Sequence, residues 1–290
     1  MTVSASAQIT DLTVSDHACL TYGEPEERLD LTAAFIRDGL ASGLKVLCLS
    51  DTPPDQAVAE LARRGVAVEP ALAAGQMLAA LCDSELLSGQ AFAATRAVGW
   101  LRDQIARCRQ EGFPGLRVAV DMSWALRPVT GVEQLPEFEE GIADAVDGTA
   151  VSVLCQYDRQ RFDPVTLASV AAFHTRAVAA ATYHADAVLR ICRQYAPSGI
   201  RLAGEIDGQA EEPLGLALAE AIRLDGDITI NMAALSFIDA ACLRMISDAA
   251  RSLAPERRVV LRSPAAIADL FKLYGAADVP GISLEVSQDE

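Results

Sequence analysis

The sequence lacks several features that would place it in a common class. None of its apolar runs within the 290 residues approaches the roughly 18 that a membrane-spanning helix needs. The first 20 residues also lack a basic start followed by an apolar block. We therefore expect no membrane contact and a cytoplasmic location. The formal net charge of -16 opposes the phosphate backbone, which argues against a direct reader of nucleic acid.

Cysteine is present but forms no recognisable motif. The seven cysteines are scattered and odd in number, with neither C-x-x-C spacing nor a local Cys/His cluster of metal-ligand spacing. We expect reduced, mostly buried thiols and neither a metal nor another cofactor.

What the chain has is enough apolar material for substantial cores. Hydrophobic residues make up 51% of the sequence, and the length suits one or two domains. Proline and glycine in "QYAPSGI", Gln194 to Ile200, separate one alternation of helices and strands from another. We therefore predict two domains, covering residues 1–196 and 197–290.

The first part alternates between helical and strand patterns. The segment "DLTAAFIRDGLASG" has apolar residues at helical spacing and ends at Gly43, and the short apolar strand "KVLCLS" follows it. Further helices are predicted in "TPPDQAVAELARRG" and "TRAVGWLRDQIARCRQEG", and further strands in "LRVAVDM" and "AVSVLCQY". This alternation predicts an α/β domain with a mainly parallel sheet covered on both faces.

The first predicted helix lacks the signals of a nucleotide-binding phosphate loop. That loop would read G-x-x-x-x-G-K-[ST] before the helix, whereas this chain reads "TYGEPEERLDL". Gly23 is present, but Glu24, Glu26 and Glu27 put negative charge where phosphates need backbone N–H groups and a lysine. Arg28 alone does not restore such a site.

Four separated motifs point to a family. The segments "DHACLTYG", "FIRDGLASGLKVLCLSD", "GFPGLRVAVDMSWALR" and "VLCQYDRQRF" together resemble the MEDS domain, a sensory module named after methanogens, methylotrophs and the DcmR regulator. The resemblance covers residues 13 to 190. It implies a RecA-like, three-layer sheet that has lost its phosphate loop and senses a small molecule or another signal. The three glutamates agree with that loss.

Candidate ligand-binding residues follow from the sheet. In an open α/β sheet the ligand crevice lies beyond the carboxyl ends of the strands. The residues predicted to lie there are His17, Tyr22, Asp51, Asp121, Trp124, Gln156, Tyr157 and Arg159, together with Ser50 and Ser123. Two alternatives stay open: Trp124 and Tyr157 cap the sheet, and Arg159 forms an ion pair with Asp158 or Asp121.

His174 allows two interpretations. A lone histidine on an apolar face is more often a hydrogen-bonded core residue than a ligand. Periodicity alone predicts one helix from Val165 to Tyr195, whereas the MEDS resemblance implies a break near His174, and we follow the break.

The second part is a small unit of alternating strands and helices. Strands are predicted in "GIRLAGEID", "DITINMAALSF", "RRVVLRS" and "ISLEV", and helices in "EEPLGLALAEAIRLDG", "AACLRMISDAARSL" and "SPAAIADLFKLYG". In the last helix, Ser263 is predicted as the cap and Pro264 as the first residue. With "GEID" early and "LSFIDAACL" central, residues 199 to 290 resemble the STAS domain of anti-sigma factor antagonists.

The STAS resemblance implies a partner and a modified site. In that family the serine directly after the central aspartate is phosphorylated by a partner anti-sigma kinase. Here Asp239 keeps the aspartate, Ala240 replaces that serine, Ala241 the next residue, and Cys242 the glycine. The implied partner-binding face contains Asp207, Asp239, Ala240, Ala241 and Arg244.

The sequence is compatible with two functions. The first is a non-enzymatic signalling regulator, in which a small-molecule sensor controls a STAS-like domain that binds an anti-sigma factor or a related kinase of the ATPase fold. In this case the domain with Ala240 still binds its partner, but phosphate no longer releases it. The alternative is that the site has decayed in a domain now used as a structural or homodimer-forming element. The second is an enzyme or binding protein that uses the N-terminal crevice, with Asp121 and His17 as acid and base. We favour the first, because the sequence shows no G-x-S-x-G motif and no Cys/His or metal-binding constellation.

Overall fold

The protein divides into two α/β units. The structure is a computed structural model that describes residues 7–275 and 279–287. The units meet in the chain between Ala179 and Ala180. The predicted α/β class, with a helix-covered parallel sheet first and a smaller α/β domain second, is confirmed.

The division lies earlier in the chain than the predicted boundary at residues 196 and 197. Strand β10 (Leu189–Tyr195) and strand β11 (Ser198–Ile206) form an antiparallel hairpin in which Tyr195 lies opposite Ser198. The cis peptide bond between Ala196 and Pro197 lies in its turn. Proline and glycine favour tight turns as well as linkers, so composition alone did not distinguish the two.

The first unit is built on a six-stranded parallel sheet with the order β3-β2-β6-β7-β1-β8. Its strands are β1 (His17–Tyr22), β2 (Lys45–Ser50), β3 (Met77–Leu81), β6 (Leu116–Asp121), β7 (Val151–Asp158) and β8 (Arg176–Val178). A short hairpin consists of β4 (Leu87–Ser88) and β5 (Ala91–Phe92). The helices are α1 (Pro25–Ala41), α2 (Pro54–Arg63), α3 (Val68–Ala73), α4 (Cys82–Leu86), α5 (Ala94–Gln110), α6 (Leu135–Val146) and α7 (Pro164–Ala171).

Helices cover both faces of this sheet. Adjacent residues of a strand point to opposite faces. On β7, Gln156 accepts a hydrogen bond from Thr32 of α1, whereas the next residue, Tyr157, donates one to Glu139 of α6. Helices α1 and α6 therefore lie on opposite faces, which gives the three layers that the sequence predicts.

Register decides which residues share an edge of the sheet. His17 pairs with Val153 and Tyr22 with Asp158, so β1 and β7 run in parallel from the same edge. The last residues of β1, β2, β6 and β7 therefore lie at the carboxyl edge, and His17, which opens β1, lies toward the other. Helix α7 ends at Ala171, so the helical pattern stops before His174, and the chain continues into β8.

The second unit is a six-stranded mixed sheet with the order β14-β13-β12-β11-β10-β9. Strand β9 (Thr182–Ala185), β10 and β11 are antiparallel neighbours, and β11, β12 (Ile228–Ile238), β13 (Val259–Ser263) and β14 (Ile282–Val286) pair in parallel. The helices are α8 (Glu211–Leu224), α9 (Ala240–Arg251) and α10 (Ala265–Leu273). As the pattern predicts, Leu214 and Leu218 of α8 and Leu243 and Ile246 of α9 are buried.

The predicted cap of the last helix is wrong. Ser263 ends strand β13 with 0% exposure, and its hydroxyl has no hydrogen-bond partner in the described part of the chain. Pro264 occupies the cap position of α10, and the helix has no side-chain cap bond. The pairing of Ser263 with Val286 holds this residue in the sheet, where its side chain does not reach the helix start.

Candidate functional site

An ion pair lies at the carboxyl edge of the first sheet. Asp121, the last residue of β6, accepts a hydrogen bond from the backbone N–H of Ser123 at 3.0 Å. Its other oxygen lies 3.0 Å from Nη1 of Arg28, which is in the first turns of α1. The Arg28 guanidinium also lies 5.7 Å from the centre of the Tyr22 ring. Burial, together with the charge of Asp121, raises the pKa of the Tyr22 hydroxyl.

A second charged group lies at the same edge. Arg127 lies 3.0 Å from Asp51, the residue after β2, and pairs also with Asp83 of α4. Partial burial raises the pKa of Asp51, and Arg127 opposes this shift. Of the predicted ligand-binding residues, Tyr22, Asp51 and Asp121 thus lie at one edge. Arg127 and Asp83 were missed, because the sequence offered no signal beyond charge.

Arg159 lies against the loop that follows β1. Its guanidinium lies 2.5 Å from the point where a Cβ atom at Gly23 would stand, so a larger residue there would have to displace the arginine side chain. Within residues 7–275 and 279–287, Arg159 forms no ion pair, and the predicted alternatives with Asp158 and Asp121 are not formed. Arg159 is exposed.

The two predicted aromatic residues are core residues in this structure. Trp124 is 0% exposed, and its ring centre lies 4.6 Å from that of Phe92. Tyr157 is also 0% exposed and donates its hydroxyl hydrogen to Glu139. Gln156 is buried against Thr32 of α1. These three side chains therefore do not face the crevice.

His17 and Asp121 are not brought together as an acid–base pair. Strand β7 lies between β1 and β6, and His17 opens its strand whereas Asp121 ends its own. The His17 ring instead contacts Glu139, with 3.0 Å between Nε2 and Oε2. The centre of the His174 ring lies 4.1 Å from the centre of the His17 ring. The enzyme that the sequence allowed as an alternative loses its proposed pair.

A cavity of about 500 Å³ opens in the first unit, with a lining that begins at Ala125, directly after Trp124. Its lining comes from the segments that follow β6 and β7, together with α6 and α7, which places it at the carboxyl edge of the sheet. The lining is apolar with a few charges, and includes Leu126, Val132, Phe162, Val165, Arg161 and Asp163. The predicted residues Trp124 and Arg159 lie close in the chain to the lining residues Ala125 and Arg161, but no predicted residue lines the cavity.

In the second unit, Asp239 caps helix α9. Its carboxylate accepts a hydrogen bond of 2.8 Å from the backbone N–H of Cys242. This bond lowers the pKa of Asp239. The Cys242 thiol donates to the carbonyl of Asp207 at 3.2 Å, so it links the two loops that carry the predicted aspartates. Burial, with the nearby Asp239, raises the pKa of the Cys242 thiol to about 12.

The predicted partner-binding face is accessible in part. Ala240, the first residue of α9, and Arg244, one turn later, are exposed, and Ala241 is half-buried. Phe237 precedes them with 49% of its surface exposed. Phe237 also lines a cavity of about 340 Å³ together with Asp207, Gln209, Glu205 and His184. The exposure of an aromatic side chain beside Ala240 is a feature that the sequence pattern did not reveal.

Among the described residues, every helix is too short or too polar to cross a membrane.

Two family models match the chain. The model described as MEthanogen/methylotroph, DcmR Sensory domain matches residues 16–175, and the model described as Mlab, STAS domain matches residues 189–284. Both families are those that the sequence motifs resemble. The match of the second model begins within the second unit, at the first residue of β10.

A curated relative matches the first part of the chain. The transcriptional repressor DcmR of Methylorubrum extorquens is 28% identical over 155 residues, which are 52% of this chain and 55% of the repressor. The chain therefore spans about half the length of that relative.

Solved structures with a similar backbone are more distant. A KaiC-like protein of Pyrococcus horikoshii is 11% identical with a TM-score of 0.45, covering 62% of this chain and 78% of its own. The flagellar accessory protein FlaH of Methanocaldococcus jannaschii is 10% identical with a TM-score of 0.45, covering 65% and 83%. An uncharacterised Pyrococcus horikoshii protein, solved with an unknown peptide, is 15% identical with a TM-score of 0.49, covering 64% and 86%.

The DcmR sensory model covers more than half of the chain, and a STAS model covers most of the remainder. The chain is therefore a regulatory protein of the MEDS family, with a STAS domain after its sensory domain.

Proposed function

We propose that this protein transmits a small-molecule signal to a STAS domain that binds an anti-sigma factor or a related kinase of the ATPase fold, and that phosphate does not release this complex. The observation that carries the proposal is the exposed Ala240 at the first position of α9, directly after the capping Asp239. Alanine has no hydroxyl to accept a phosphoryl group.

The physics of a helix start explains why this position matters. A phosphate there would meet free backbone N–H groups and would add about two negative charges to the surface. Such a change breaks a complex whose partner approaches this face. Ala240 removes the acceptor but keeps the helix start, because Asp239 still caps α9 through Cys242.

The surface around Ala240 supports binding of a protein partner. Phe237 exposes 49% of its surface there, and Arg244 supplies a positive charge one turn into α9. Exposed aromatic and arginine side chains are typical anchors of protein interfaces. The decayed-site alternative does not require either residue to be exposed.

The sensory side of the proposal rests on the first unit. The cavity of about 500 Å³ has the size and mostly apolar lining of a small-molecule site, with Arg161 and Asp163 as polar groups. DcmR, the curated relative, is a transcriptional repressor. Control of gene expression by a small molecule is therefore the role that we propose for this chain.

The test compares versions of the protein on one partner. A pull-down from the native cytoplasm should recover an ATPase-fold kinase or anti-sigma factor. Incubated with that partner and ATP, the unaltered protein should stay unphosphorylated and bound, whereas Ala240→Ser should gain phosphate and dissociate. Ala240→Glu should bind more weakly than the unaltered protein, because a carboxylate carries about one charge against nearly two for phosphate. Native mass spectrometry measures all three states.

Ala265 offers a matched control. It is exposed and is the first residue of α10, as Ala240 is of α9, so Ala265→Glu adds the same charge at an equivalent helix position. It should leave binding unchanged. Equal binding by the unaltered and Ala240→Glu proteins would show that this face is not the interface. Phosphate on the unaltered protein, for instance at the exposed Ser236, together with dissociation would show that control by phosphate has moved along the chain.

A further inference from the structure

Four potential metal ligands meet in the interior of the first unit. They are His17 at the start of β1, Glu139 on α6, Cys155 on β7 and His174 after α7. One ligand atom from each lies within 4.8 Å of all the others. This cluster, named here the His-Cys-Glu cluster, shares no residue with the cavity lining or with the Arg28–Asp121 ion pair.

Both imidazole rings present their Nε2 atoms to the cluster. The Nδ1 atom of His17 lies 3.2 Å from the carbonyl oxygen of Phe173, and that of His174 lies 2.8 Å from the carbonyl oxygen of Val170. A carbonyl oxygen only accepts hydrogen bonds, so each Nδ1 carries a hydrogen. This outer hydrogen bond fixes the ring and leaves Nε2 as the ligand atom, as in known metal sites.

Four of the six distances between ligand atoms are close to those around a tetrahedral ion. Nε2 of His17 lies 3.0 Å from Oε2 of Glu139 and 3.5 Å from Sγ of Cys155. Sγ of Cys155 lies 3.5 Å from the same carboxylate oxygen, and Nε2 of His174 lies 3.4 Å from it. Zinc bonds of about 2.0–2.3 Å in tetrahedral geometry place neighbouring ligand atoms roughly 3.3–3.6 Å apart.

His174 gives an independent sign that a group belongs at the centre. Its side chain is 2% exposed, and its Nε2 atom has no hydrogen-bond partner among the described residues. With hydrogen on Nδ1, the Nε2 lone pair of the neutral ring faces the carboxylate of Glu139. Two acceptors buried side by side are unfavourable unless a proton or a cation lies between them.

The surroundings of Glu139 direct one oxygen to the cluster. The Tyr157 hydroxyl donates to Oε1, which leaves Oε2 to face the two histidines and Cys155. Hydrogen bonds of this kind orient the ligands in metal sites and tune their basicity. Tyr157 is thus a positioning residue for the cluster.

We propose that His17, Glu139, Cys155 and His174 bind one divalent transition-metal ion, with Zn²⁺ as the ion that this donor set fits best. Two imidazole nitrogens, one thiolate and one carboxylate oxygen fill a tetrahedron, and Zn²⁺ accepts all three donor types. On binding, the Cys155 thiol releases its proton to solvent and the metal–sulfur bond replaces the S–H bond. The closed set of four protein ligands makes the site structural, connecting β1, α6, β7 and the segment after α7.

The test uses the full chain after treatment with a chelator, titrated with Co²⁺ as a spectroscopic probe of the same geometry. We expect one ion per chain, visible bands of tetrahedral Co²⁺ and a thiolate-to-cobalt charge-transfer band. Cys155→Ser should remove that charge-transfer band. His174→Ala should weaken Co²⁺ binding by more than the roughly 10- to 100-fold that loss of an outer-shell partner causes. Tyr157→Phe should cost about 10- to 100-fold and keep the tetrahedral spectrum.

Two matched controls separate ligand loss from general damage. Cys48→Ser alters another buried strand cysteine, in β2, and His184→Ala alters a histidine of the second unit. Both should bind Co²⁺ as the unaltered chain does. His174 follows the end of α7 and lies in no helix or strand. Of the ligand variants, His174→Ala is therefore expected to disturb folding least. Circular dichroism checks that it is folded. Binding of no Co²⁺ by the unaltered chain would overturn the proposal, as would an unchanged charge-transfer band in folded Cys155→Ser or unchanged affinity in His174→Ala.

Discussion

Replacing Trp124 by alanine is expected to destabilise the first unit by about 3–5 kcal/mol, the usual cost of deleting a large aromatic side chain from a core. The reason is its complete burial against Phe92, at 4.6 Å between ring centres. With an m value of about 2–3 kcal/mol/M in urea, the unfolding midpoint should fall by about 1–2.5 M.

Phenylalanine at the same position is the informative comparison. The indole Nε1 of Trp124 has no hydrogen-bond partner in the described part of the chain, so the N–H group is buried at a cost of about 1–3 kcal/mol. Trp124→Phe removes that N–H but also buried ring atoms, at roughly 0.8 kcal/mol per carbon, or about 2 kcal/mol in all. The two effects nearly cancel, and the Trp124→Phe midpoint should stay close to that of the unaltered protein.

Tryptophan fluorescence reports this unit alone. Trp100 and Trp124 are the two tryptophans of the chain, and both lie before the division at Ala179. Trp100, whose indole donates to Glu85 at 2.7 Å, remains as the reporter in both variants. A midpoint unchanged in Trp124→Ala would refute the core assignment and return Trp124 to the crevice. A Trp124→Phe variant as unstable as Trp124→Ala would show that the indole N–H is bonded.

Two further outcomes follow from the second unit and from the thiols. Asp239→Ala should destabilise the first turn of α9 by about 1 kcal/mol, and Asp239→Asn by much less. Hydrogen exchange of residues 240–251 measures this difference. Equal exchange in the two variants would contradict the capping role of Asp239. Because the pKa of Asp239 is lowered in the native state, this stabilisation should be complete above the pKa of an unfolded aspartate and disappear as pH falls through the lower native value. Burial raises the pKa of Cys19 and Cys48 to about 12, so Ellman's reagent at pH near 8 should label these thiols only after unfolding. Rapid labelling of native protein would contradict that burial.

Sequence periodicity predicted most of the fold, because its signals are local. Apolar strands such as Lys45–Ser50 and helices that end near glycine, as α1 does before Gly43, follow from residue patterns within about ten positions. Periodicity was wrong over residues 165–195, where it predicted one helix and the structure has α7 and strands β8 to β10. The hairpin at Ala196–Pro197 was a second exception. Its turn residues are also those of a linker, and only the pairing of β10 with β11 decides between them.

The candidate sites were harder to predict, because they depend on register and on side-chain direction. Asp121 was correctly placed at the carboxyl edge of the sheet, since the end of an apolar strand is visible in the sequence. Tyr157 is one residue from the edge, yet its direction along the strand sends it to the α6 face. His17 was assigned to the wrong end of β1, because a six-residue strand has no internal mark of where it starts.

The His-Cys-Glu cluster was missed for a related reason. Its members stand at positions 17, 139, 155 and 174, so no spacing motif joins them, and no metal was predicted from the sequence. Proximity arises only when β1 pairs with β7 and α6 covers that face. A search for local C-x-x-C or H-x-x-x-H patterns does not detect ligands that a sheet brings together.

In each unit, one helix start among the described residues is poorly suited to phosphate, for a physical reason that the structure shows. In the first unit, Pro25 opens α1 without an N–H group, and Glu26 and Glu27 occupy its first turn. One nearby cation, Arg28, is paired with Asp121, so a phosphate would have to displace a buried carboxylate from it. In the second unit, the start of α9 keeps its cap but presents Ala240. In the function proposed above, neither helix start handles phosphate, and the signal acts through ligand occupancy and partner binding.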